Sequence, residues 1–178
     1  AGPKPRIDGG GTVDDAVRLF NQEHWTIRNL EVTNAVPPTG VPGENLRDLR
    51  GIHVSGDNGD TLDGFVVDAV DVHDVTGEIN WIGGSGDPSP GVTFGTGWDR
   101  SKRTGGIVFD AWVADVADPG LSPTILNDVL IQNSTVRNTS FAGITVKQYA
   151  GTSPVQSPPD GGPGRRRPTP GSARTPTW

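Results

Sequence analysis

A chain of 178 residues with 26 glycines, 16 prolines, no cysteine and 6% aromatic residues has the composition of short strands and many turns, and excludes a disulfide framework or a thiolate metal site. The net charge of −6 divides into −9 over residues 1–150 and +3 over residues 151–178, so the body repels nucleic acid by bulk electrostatics. No apolar run has the length to cross a bilayer as a helix, no targeting leader is visible, and neither a nucleic-acid nor a membrane partner is expected.

In chain order, PRIDGGGTVDD at residues 5–15 reads as a strand fragment and a Gly-rich turn. It lacks the GKS or GKT ending of a phosphate loop. A short strand follows, AVRLF at 16–20, and its pattern returns as GIHVS at 51–55, GIVFD at 106–110 and GITVK at 143–147. The apolar pairs Val17/Leu19, Ile52/Val54, Ile107/Phe109 and Ile144/Val146 share one face of these strands by the two-residue period of a pleated chain. Spacings of 35, 55 and 37 residues between them place insertions in the connecting turns.

A second pattern recurs without gaps: WTIRNLEVTN at 25–34, FVVDAVDVHD at 65–74 and VLIQNSTVRN at 129–138. Ile27, Val67 and Ile131 then share one column and Val32, Val72 and Val136 another, as a buried wall built by stacked repeats requires. DNGD at 57–60 is a tight turn. A Pro-rich loop at 35–50 and a Gly-rich stretch at 76–105, carrying Trp81 and Trp98, are the main insertions. Two domains are expected: a β-solenoid of about three coils over 1–150, and an irregular tail over 151–178 with seven prolines, five glycines and no periodicity. The abrupt change after residue 150 suits a truncated or frame-shifted C-terminus, with 1–150 the first part of a longer solenoid and the fragment inactive.

IDGGGT, the TIRNLEVTN form with its echoes and the recurrent GIxV together resemble the right-handed parallel β-helix proteins of the pectin lyase-like superfamily over residues 5–150. The resemblance implies an all-β fold of three-stranded coils, a secreted carbohydrate-active protein, monomeric when full length, and an acidic, uronate-containing polysaccharide as substrate. It also implies an internal asparagine ladder at the turn between second and third strands, where Asn29 and Asn133 fall and Ala69 interrupts. The GHG and RIK motifs of polygalacturonases are missing. Lyase-type β-elimination leads, with uronate epimerisation or a non-catalytic adhesin- or tailspike-like glycan binder as alternatives.

In that superfamily the sugar groove runs along the outward face of the opening strands. Alternation puts two columns there: Arg18, His53, Val108, Thr145 and Phe20, Ser55, Asp110, Lys147, with neighbours about 4.8 Å apart. Elimination at a uronide needs a base for the C5 proton and a group to neutralise the carboxylate. The candidates are therefore His53, Asp110 and Lys147 for catalysis, Arg18, Trp81 and Trp98 for substrate, and Asp110 as ligand to a possible Ca²⁺. Each has a plainer reading: Asp110 and Lys147 as a surface ion pair, the tryptophans as loop anchors. Asp71 and His73 read as a solvated strand face.

Overall fold

The computed structural model describes residues 2–37, 49–76, 105–115, 118 and 120–148, excepting the side chains of Lys147 and Gln148. These residues contain eleven strands and no helix: β1 (Arg6–Asp8), β2 (Asp15–Phe20), β3 (Trp25–Arg28), β4 (Glu31–Ala35), β5 (Arg50–Gly56), β6 (Thr61–Asp68), β7 (Asp71–Thr76), β8 (Gly105–Ala111), β9 (Ile125–Gln132), β10 (Thr135–Thr139) and β11 (Ala142–Gln148). Every ladder is parallel. Consecutive strands visit three sheets in rotation, giving the orders β1-β4-β7-β10, β2-β5-β8-β11 and β3-β6-β9.

The recurring sequence patterns are these stacks. Trp25 pairs with Phe65 and Phe65 with Val129, Ile27 with Val67 and Val67 with Ile131, Val32 with Val72 and Val72 with Val136, as the gap-free alignment requires. The interior is an apolar cluster that includes Ile52, Val54, Phe65, Val67, Val72, Ile107 and Phe109. Among the described residues no strand lies beyond β9, β10 and β11 at the far edge of the sheets. The inward residues Ile144 and Val146 are accordingly 49% and 75% exposed.

The turns repeat in conformation as well as in position. His24, Gly64 and Asp128, each one residue before an aligned repeat, have φ of 57°, 78° and 51°; Asn29, Ala69 and Asn133 have 55°, 53° and 51°. The second column is where an asparagine ladder was expected, and its backbone fits. The side chains do not: Asn29 and Asn133 are exposed, and Asn133 Nδ2 donates to the Asp68 carboxylate at the surface. The left-handed backbone, which asparagine adopts at least cost after glycine, accounts for the residue choice without an internal ladder. Ala69 carries that strain uncompensated, so Ala69→Asn is expected to raise stability by about 0.5–1 kcal/mol, readable as a Tm increase of about 1–4 °C.

One buried side chain joins three elements. Asn34, at the end of β4, accepts from the Gly11 amide at 3.0 Å and donates through Nδ2 to the carbonyls of Val13, Asp14 and Arg50 at 3.0, 3.3 and 3.1 Å. The Gly-rich turn wraps this amide so closely that a Cβ on Gly9 would stand 2.5 Å from Asn34 Oδ1. The turn thereby fixes where β2 starts relative to β5. The other ends of those strands are pinned by Asn21 and Asp57, whose side-chain and backbone groups exchange two bonds of 2.9 Å.

Candidate functional site

The opening strands stack in the expected register. Arg18 pairs with His53, His53 with Val108 and Val108 with Thr145; Phe20 pairs with Ser55, Ser55 with Asp110 and Asp110 with Lys147. The expectation of an open groove along this face is corrected by burial. His53 is 7% exposed and Asp110 2%, and Ser55 and Val108 are buried with them. At the β2 end the face reaches solvent, where the half-exposed Arg18 guanidinium lies 4.8 Å over the Phe20 ring. The result is a cleft of about 370 Å³ whose lining includes Asp15, Arg18, His53, Ser55, Asp110 and Trp112.

Two members of the cleft escape strict alternation. Arg50 has the parity of Ile52, and Asp15 that of Val17, so both should point into the apolar interior. Instead Gly51 turns inward: a Cβ there would meet Val72 Cγ1 at 2.6 Å and Val75 Cγ2 at 3.2 Å. That bend at the strand start releases Arg50 to the outer face, and its ladder partner Asp15 goes with it. Arg50 Nε donates to Asp15 Oδ1 in a nearly buried ion pair.

The same carboxylate serves the imidazole. His53 Nδ1 lies 3.1 Å from Asp15 Oδ1, and His53 Nε2 lies 3.8 Å from Asp110 Oδ2. Neither ring nitrogen makes an aligned hydrogen bond among the described residues, nor do the buried hydroxyls of Ser55 and Thr145. Unpaired buried polar atoms cost stability, and those of His53 and Ser55 line one cleft. Burial pushes the Asp15 carboxyl up, but the His53 and Arg50 side chains facing it outweigh that, and the net effect holds it below its ordinary value of 3.8. Because the folded value is the lower one, the unfolded chain binds more protons in acid. This contribution to stability is full at pH well above 3.8 and is lost as pH falls through the folded value. Denaturant unfolding between pH 7 and 3 should therefore lose stability more steeply for the wild type than for Asp15→Asn.

Of the residues expected from sequence, His53, Asp110 and Arg18 come together here. Lys147 is the ladder partner of Asp110, while its side chain, with Trp81 and Trp98, lies outside the described residues. The aromatics that line the cleft are Phe20 and Trp112, the latter two residues beyond Asp110 and legible by the same alternation. His73 is not a solvated residue: it is 9% exposed and held between Asp74 Oδ2 at 2.7 Å and Glu31 Oε1 at 3.0 Å.

Searches against known protein families, curated proteins and solved structures return no match. The chemistry of the cleft rests on its own residues. An imidazole between two carboxylates carries one N–H and one lone pair, and the nitrogen with the lone pair can take a proton. A hard cation is served less well. Among the described residues no group of three or more His, Cys, Asp or Glu is arranged to hold a metal ion, and Asp15 is engaged by Arg50 and His53, whereas Ca²⁺ takes about six to eight oxygens.

Proposed function

We propose that the chain is a right-handed parallel β-helix of the pectin lyase-like kind, secreted, and that its cleft acts on a uronate-containing polysaccharide by β-elimination. The rotation of strands through three parallel sheets supports the architecture, and parallel crossovers are right-handed in ~98% of cases. The observation that carries the activity is His53, buried at the cleft floor between Asp15 and Asp110 with no aligned partner for either nitrogen.

In this reading the uronate carboxylate meets Arg18 at the mouth, the cation that Asp15 does not neutralise closely, at 3.8 Å. The C5–H bond breaks with its proton passing to His53 Nε2, and the released electron pair forms the C4=C5 double bond. The C4–O4 bond breaks with its pair on O4, which takes a proton from solvent. Epimerisation shares the first step and returns a proton to the opposite face.

A second reading, glycan binding without turnover, is favoured by the Arg18–Phe20 stack, an exposed platform of a kind that sugars use. Incubation with pectin, alginate and glycosaminoglycans separates the three. Growth of the unsaturated uronide absorbance supports elimination, and solvent deuterium at C5 without cleavage supports epimerisation. Binding with neither, and without new reducing ends, supports the module.

A further inference from the structure

We infer that the Asp15–Arg50 pair is a positioning device that fixes the tautomer of His53, placing the ring proton on Nδ1 and leaving Nε2, on the Asp110 side, as the acceptor. The inference rests on the elimination reading for its catalytic consequence, but its structural content stands apart from any substrate.

A neutral imidazole carries one N–H and one lone pair, and its surroundings decide which nitrogen holds which. The nearer carboxylate oxygen is on the Nδ1 side, 3.1 Å away against 3.8 Å on the Nε2 side. That nearer oxygen is also the better anchored. Asp15 Oδ1 receives Arg50 Nε, and the side chains of Asp15, Arg50 and His53 are 9%, 10% and 9% exposed, so the three groups hold one another in a largely water-free layer. Arg50 is itself held from behind, because its carbonyl accepts from Asn34 and its amide donates to the Asp14 carbonyl at 2.7 Å. Arg50 thus keeps Asp15 in place, and Asp15 orients the ring. Asp110, across the ring, belongs to a different strand and meets Nε2 at the longer distance, so it competes less for the ring proton.

The pair contributes no reacting atom, so its signature is a spectroscopic one. Long-range ¹H–¹⁵N correlation distinguishes the two imidazole tautomers, and the chain has only three histidines, with His53→Gln assigning the signal. At a pH where the ring has lost one proton, wild-type His53 is expected as the Nδ1–H form. Asp15→Ala, which removes the acceptor beside Nδ1, should let the Nε2–H form appear. An Nε2–H ring in the wild type overturns the inference, as does a ring wholly in the Nδ1–H form in a folded Asp15→Ala; should that variant not fold, the wild-type spectrum decides. Where elimination is measurable, Asp15→Ala should lower kcat by about 10²-fold or more with KM within about threefold. A tautomer as expected with no turnover by the wild type refutes the elimination reading and leaves the positioning intact.

Discussion

His53→Gln is expected to lower uronide elimination by about 10²–10⁴-fold, the usual contribution of a positioned general base. Glutamine keeps approximate length and polarity in the buried layer yet has no nitrogen that accepts a proton at neutral pH. The loss should appear in kcat, since the imidazole makes its decisive interaction with the C5 proton only as that proton transfers. Initial rates from unsaturated uronide absorbance, beside those of Lys147→Ala, provide the check. Lys147 is the competing base because it ladders with Asp110. Abolition by Lys147→Ala together with a turnover-competent His53→Gln would transfer the role to the lysine.

Much of this cleft was legible because parallel stacking preserves both column and parity. Once Ile52/Val54 and Ile107/Phe109 are assigned to the interior, His53, Ser55 and Asp110 have to share the other face, and they do. Trp112 follows from the same rule carried two residues further. The rule failed where a strand bends. Gly51 faces inward beside Ile52, an interruption of alternation that no local pattern announces, and it reverses the assignment of Arg50 and Asp15. The sequence does carry a trace of it: an opening glycine stands before three of the four apolar pairs, at Gly51, Gly106 and Gly143. Burial was illegible for a different reason. Alternation separates two faces but does not say what covers the outer one, so His53 and Asp110 were expected on an open groove. His73 was likewise expected in solvent, because the carboxylate that closes over it, Glu31, comes from a strand 42 residues earlier.

Asn34→Ala should be among the most damaging single changes remote from the imidazole, costing about 2–4 kcal/mol by the usual penalty for unpaired buried polar groups. The substitution removes one acceptor from the Gly11 amide and two N–H donors shared by the carbonyls of Val13, Asp14 and Arg50. Part of that loss falls in the buried layer, where Asn34 itself is 0% exposed, and alanine leaves a void among carbonyl oxygens that repel one another. Asn34→Asp is no remedy, because a carboxylate would face the three carbonyls that the amide nitrogen now satisfies. Denaturant unfolding measures the cost. The functional consequence follows from geometry: the Asn34 amide holds the start of β2 against the start of β5, and Asp15 and Arg50 are the residues brought together there. Folded Asn34→Ala should therefore show His53 in a mixture of tautomers, although residue 34 does not touch the ring. A single Nδ1–H form in that variant would mean that the strand ladder alone positions the pair and that Asn34 serves stability only.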